Sequence, residues 1–172
     1  TNILNKMDSV DSLILDLSRH PFLLDHYGAD RGSHERLAEN KVHILGQLYA
    51  CDAVIFIAPE WGGMIPPALV NLLLLTANGS ANGLPLGHKP AFAIGISASS
   101  GGSNPVSLLK GYAAKNSHIT WLPLHAIIQN VQEFVEHKWD PKSDDRFGQV
   151  QSRLRIGLEA LVIYAKQLFD VR

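Results

Sequence analysis

The sequence predicts an α/β domain built around a parallel sheet, and three observations carry that expectation. Short apolar runs alternate along the chain with longer amphipathic stretches, as strands alternating with crossover helices do. One run, Ala53-Val54-Ile55-Phe56-Ile57-Ala58, is apolar at every position, as in a strand buried on both faces. Two such runs lead into loops rich in glycine and serine, the composition expected where strands meet helices at a ligand site.

Each element follows in order. Thr1 to Met7 reads as the start of a helix, and Ser12 to Leu17 as a strand. His34 to Ala50 reads as a helix, because Ala38, Val42, Leu45 and Tyr49 recur every three to four residues and Ser33 stands ready to cap it. After the 53–58 strand and a turn over Pro59 to Gly63, a helix spans Pro66 to about Thr76, since proline is tolerated in a first helical turn. Residues 78–83 form a turn-rich loop. Lys89 to Ser97 is a second buried strand, and Pro105 to Ala114 a helix. His118 to Leu122 is a short strand, extended irregularly through Ile127 to Phe134. A last helix runs from about Asp144 to Phe169, with Phe147, Val150, Leu154, Leu158, Leu161, Ala165 and Leu168 in one stripe. No internal repeat is visible, and at 172 residues the chain is expected to form a single domain, 1–172.

Composition narrows the function. Fifteen basic against sixteen acidic residues give a net charge of −1, which leaves no basic footprint for nucleic acid and no polybasic membrane anchor. No apolar run reaches the roughly 18 residues of a membrane span. A single cysteine, Cys51, forms no internal disulfide and fits a reducing, cytoplasmic setting; nothing in sequence beside it lowers its pKa, so it reads as a core residue. Eight histidines lack metal-ligand spacing and read as solvated or structural. Charged residues are only 18%, which hints that some surface is covered by another subunit.

Ligands of open parallel sheets bind beyond the carboxyl ends of the strands. Two loops qualify: Ala58-Pro59-Glu60-Trp61-Gly62-Gly63-Met64-Ile65-Pro66 and Ser97-Ala98-Ser99-Ser100-Gly101-Gly102-Ser103. Their small residues let main-chain donors sandwich a flat ligand. Glu60 reads as a brace for the loop rather than a general base, and Met64 as packing.

The stretch from Asp52 to Asn71 resembles the signature of the NADPH-dependent FMN reductase family, in which Pro-Glu-Tyr-Asn-x-Ser-Ile-Pro-x-x-Leu-Lys-Asn joins the third strand to the third helix. Pro59, Glu60, Ile65, Pro66, Leu69 and Asn71 match it, and the downstream order of Gly87-His88-Lys89-Pro90, a strand and Ser97 to Gly102 is similar. The resemblance covers about residues 10–165. It implies a three-layer flavodoxin-like fold with strand order 2-1-3-4-5, FMN as cofactor, NADPH or NADH as electron donor, and a small-molecule flavin, quinone or azo acceptor. It also implies that main-chain groups of Glu60, Trp61, Gly62 and Gly63 meet one edge of the isoalloxazine, with Ser99 to Gly102 closing the other side. The chemistry belongs to the cofactor, so no catalytic side chain is nominated. Trp61 replaces the family's tyrosine, Gly63 and Met64 alter its asparagine–serine segment, and Val70 stands where lysine is usual.

In this fold the first strand lies inside the sheet and leads into a hydroxyl-rich loop that holds the FMN phosphate. No such run precedes residue 12, so the expectation is that a strand and phosphate loop lie upstream, with Thr1 and Asn2 as the loop's end. The apolar helix 66–76 carries Leu69, Val70, Leu72, Leu73, Leu74 and Leu75 around its whole circumference, which predicts a homodimer or homotetramer. Two other classes remain open at this point. One is a flavodoxin-like module without reductase activity, acting in flavin binding or interaction. The other is a serine hydrolase, because Gly95-Ile96-Ser97-Ala98-Ser99 approaches a nucleophile elbow, but it misses the final glycine, and His137 and Asp140 make no convincing acid–histidine pair.

Overall fold

The computed structural model describes residues 3–8, 10–24, 34–77, 84–113, 117–136 and 145–171. Within these, three strands form one parallel sheet in the order β1 (Val54–Pro59), β2 (Pro90–Ile96), β3 (Thr120–Ile128). Among the described residues five α-helices accompany it: α1 (His34–Ala50), α2 (Pro67–Ala77), α3 (Ser103–Tyr112), α4 (Val131–Val135) and α5 (Asp145–Gln167).

The sheet separates two apolar cores. Side chains alternate across a strand, so Phe56 and Ala58 of β1 join Ile44 and Leu48 of α1, Leu69, Leu72 and Leu75 of α2 and Leu109 of α3 on one face. Phe92 and Ile94 of β2, with Leu122 and Ala126 of β3, meet Leu158 and Leu161 of α5 on the other. The parallel sheet is therefore flanked by helices on both faces. Helix α5 comes close because position 157 is glycine: a Cβ there would overlap the ring of the fully buried Phe92.

Two lysines finish the frame with main-chain carbonyls. Buried Lys89 donates from Nζ to Leu48 O (2.5 Å) and Tyr49 O (2.7 Å), placing a cation on the carbonyl end of α1. The β2–β3 register shifts between Ala91 and Ala93, opposite Trp121 and His125. Pro123 sits in that irregularity, where a missing N–H costs no ladder bond. Lys110 Nζ takes up the carbonyls of Leu122 (2.7 Å) and Pro123 (3.0 Å), and burial lowers its pKa.

Several expectations are corrected. Residues 12–16 adopt no regular structure, and Leu17–Arg19 is a 3-10 turn that the Asp16 carboxylate caps by accepting the Ser18 N–H (3.0 Å). Leu13 and Ile14 are 71% and 73% exposed. A strand exists only where a neighbour takes its backbone groups, and no described strand pairs with this segment, although Leu15 and Leu17 pack against the core. Leu4–Lys6 is likewise a 3-10 turn rather than the start of an α-helix. β3 runs further than its first five residues suggested, and α4 replaces its irregular tail. Helix α3 starts at Ser103, two residues before Pro105. On α2, Asn71 forms no polar outer face: its side-chain amide turns inward to the carbonyl of Leu23. Val70 of the same helix is 38% exposed. The Ser33 cap and the 78–83 loop lie outside the described residues.

Candidate cofactor-binding site

The first loop leaves β1 at Pro59. The Glu60 N–H donates to Ile96 O (2.8 Å), carrying the β1–β2 ladder one step past the strand. The chain then folds back on itself: Trp61 N donates to Met64 O (3.1 Å), and Met64 N to Trp61 O (2.9 Å). Between them Gly62 and Gly63 take φ of +55° and +82°. Two successive positive φ values are what a type I′ hairpin turn demands, and Gly-Gly meets that demand without strain. The hairpin displays Trp61 and Met64 side by side, 68% and 59% exposed.

The second loop is tied down on several sides. Ser97 is buried; its N–H donates to Ile128 O (2.9 Å), its carbonyl accepts from Val131 N (3.1 Å), and its hydroxyl accepts from Ser99 N (3.2 Å). Asn130, at φ +48°, donates its N–H to Ser99 O (3.0 Å). The Gln129 amide donates to the carbonyls of Ser100 and Gly101, the latter at 3.3 Å. Gly102, at φ +98°, opens α3.

Glu60 joins the loops. Its carboxylate accepts the Gly102 N–H and lies so close to Gly101 that any Cβ there would overlap it. Both loops thus meet at the carboxyl ends of β1 and β2, as the sequence predicts. The N–H groups of Gly62, Gly63, Ser100 and Gly101 take no main-chain acceptor among the described residues. A Cβ built on Gly62 meets nothing within 4 Å, so the space over the hairpin is open. Open main-chain donors on small-residue turns, beside an exposed aromatic ring, fit the edge and face of an isoalloxazine.

The roles expected from sequence divide here. Glu60 and Trp61 spend their N–H groups inside the protein, which leaves Gly62 and Gly63 as the first loop's donors. Ser97 and Gly102 are buried and shape the second loop; Ser99 and Ser100 are exposed on it. Pro59 ends β1, and Ile65 packs against the core. Thr1 and Asn2 lie outside the described residues. Ser97 Oγ is committed within the loop and buried, which is not the exposed nucleophile of a hydrolase elbow; His137 and Asp140 are outside the described residues. Sequence reasoning missed Gln129 and Asn130. Their signal was two polar residues directly after Ala126-Ile127-Ile128, with asparagine tolerant of positive φ. The paired loops form an open ledge. A cleft of about 720 Å³ runs elsewhere, between β3 and α5, lined by Leu124, Ile127, Arg146, Gln149 and Arg153 and touching the ledge only through Gln129 and Asn130.

The family comparison points the same way. The family model described as NADPH-dependent FMN reductase matches residues 2–133. No curated protein matches the sequence. Among solved structures, an oxidoreductase from Corynebacterium diphtheriae superposes with a TM-score of 0.69 at 11% identity, covering 96% of this chain and 81% of that one. The flavoenzyme NAD(P)H:(acceptor) oxidoreductase FerB from Paracoccus denitrificans gives a TM-score of 0.48 at 16% identity, over 92% and 93% of the two chains.

Proposed function

The chain belongs to the NADPH-dependent FMN reductase family, whose members are oxidoreductases working with FMN and NAD(P)H, and from that premise we propose that it passes reducing equivalents to a free flavin, a quinone or an azo compound at the ledge formed by residues 59–65 and 97–102. The carrying observation is the pair of glycine turns with open N–H groups, locked together by Glu60. Gly62, Gly63, Ser100 and Gly101 would hold the isoalloxazine by main-chain bonds, and Trp61 with Met64 would form an apolar wall beside it. Bound FMN supplies the hydride-accepting and electron-donating chemistry. The protein's part is to orient the ring and to set what can reach it. Glu60, engaged by the Gly102 N–H, acts as a positioning residue and not as an acid or base. Proton exchange is left to solvent, since the ledge is open.

The same reading covers the architecture. We take β1, β2 and β3 as the last three strands of a flavodoxin-like 2-1-3-4-5 order, with residues 1–172 as one flavin-binding domain. Val70, exposed on α2, favours a homodimer or homotetramer, since an apolar helix face gains by meeting a second copy. A cytoplasmic enzyme acting on small molecules, rather than on nucleic acid or membrane, completes the proposal; none of the described helices is long and apolar enough to cross a membrane.

The test is direct. Purified protein mixed with FMN should quench flavin fluorescence saturably, and the complex should oxidise NADPH or NADH when free FMN, menadione or an azo dye is added. Flavin binding without turnover on any of these acceptors would reduce the protein to a flavin-binding module, and absence of binding would overturn the site.

A further inference from the structure

At the opposite end of the sheet from the ledge, two histidines are brought together by their backbones. His88 ends the turn that enters β2, and His118 lies just before β3. The His88 N–H donates to His118 O at 2.8 Å, and Thr120 N donates to Lys89 O at 3.0 Å, so the two entrances are stitched by ladder bonds before the strands begin. Both residues adopt the left-handed conformation, with φ of +58° and +55°. Their rings are exposed, with centroids 5.9 Å apart and planes at 75°.

We propose that His88 and His118 form a binding site for a divalent transition-metal ion, zinc, nickel or copper(II), completed by water. Glycine or asparagine would serve a left-handed turn at least as well. Imidazole at both of two such positions, on backbones that hold each other, points to the rings themselves. Non-glycine backbone at positive φ is uncommon and clusters at functional sites. The spacing fits the chemistry. With metal–nitrogen bonds of about 2.0–2.1 Å, two imidazoles on one tetrahedral ion carry ring centroids roughly 5–6 Å apart. Exposed rings reach that arrangement by side-chain rotation alone, because the backbones are already fixed. The neighbouring cation is out of the way: Lys89 is buried with its ammonium on the carbonyl end of α1. No group of three or more His, Cys, Asp or Glu suited to a metal occurs among the described residues, so water fills the remaining positions. The bound ion would staple the entrances of β2 and β3, stabilising the sheet from the end remote from the flavin ledge.

Thermal unfolding of the full chain with 1 mM nickel or zinc chloride, against EDTA, provides the test. The ion should raise the Tm by roughly 3–8 °C if it binds with a Kd in the tens of micromolar. His88→Asn and His118→Asn should each abolish the shift while leaving the metal-free Tm near wild type, since asparagine tolerates the left-handed backbone. Copper(II) electron paramagnetic resonance should show two nitrogen ligands in the wild type, and one or none in either variant. No metal-dependent shift in the wild type would overturn the proposal. So would a full shift surviving in either variant, which would put the ion on other histidines.

Discussion

The two loops of the ledge solve one problem in different ways. The second, residues 97–102, is anchored: Ser97, Gln129 and Asn130 hold its backbone from β3 and from within. The first is presented: a two-residue hairpin bonded to itself through Trp61 and Met64, standing out from β1 with its large side chains in solvent. One contact couples them, the Glu60 carboxylate on the Gly102 N–H. A planar cofactor needs one fixed wall and one that offers contacts, so the coupling should matter more than either loop's own surface.

The strongest way to break the coupling is Gly101→Ala. Its methyl group would overlap the Glu60 carboxylate and drive the loops apart. Loss of a charge-assisted bond costs about 1.5–3 kcal/mol, so FMN should bind roughly 10- to 150-fold more weakly. Fluorescence titration decides it, and unchanged affinity would show that the loops act independently. Next in size is Glu60→Ala, which removes the acceptor without adding bulk. It should weaken FMN about 10-fold, with Glu60→Gln recovering most of that because an amide oxygen can still accept the Gly102 N–H.

The same contrast explains what was legible in the sequence. Unbroken apolar runs announce parallel strands, so β1 and β2 were readable to within a residue or so, but only β2 is buried on both faces: β1 leaves Ile57 57% exposed. Glycine and proline marked both loops. The sequence hid what depends on long-range partners. Ser12 to Leu17 has the composition of a strand yet pairs with no strand among the described residues. Gln129 bonds back to Ser100 across 29 positions, which no local pattern reveals. The family resemblance put main-chain groups of Glu60 and Trp61 at the isoalloxazine edge; that the ladder and the hairpin engage their N–H groups is a long-range fact no local pattern gives.

A smaller effect tests the presented wall. Trp61→Ala removes an exposed aromatic face, and aromatic pairs contribute about 0.5–1.5 kcal/mol. KM for menadione should rise roughly 2- to 10-fold, and by more than KM for ferricyanide, which has no ring to stack. An equal rise for both would assign Trp61 to the cofactor rather than to the acceptor.

The smallest effect concerns the strand that anchors the second loop. His125 lies on β3, four residues before Gln129, with its Nδ1 buried and unbonded among the described residues. Burial lowers its pKa below the usual 6.5, aided by the positive charges of Lys110 and Arg153. The folded protein therefore favours the neutral ring. A folded-state pKa below the unfolded one means that this contribution to stability is complete above about pH 6.5 and is lost as pH falls through the lowered value. Acidification should thus loosen β3 and, through Gln129 and Asn130, the anchored loop before the hairpin. Tm measured from pH 7.5 down to 5 should fall less steeply in His125→Gln than in the wild type, and hydrogen exchange at pH 5 should quicken at residues 99–101 before residues 61–64. Identical pH slopes in the two proteins would remove His125 from the anchoring of the second loop, leaving Gln129 and Asn130 to hold it unaided.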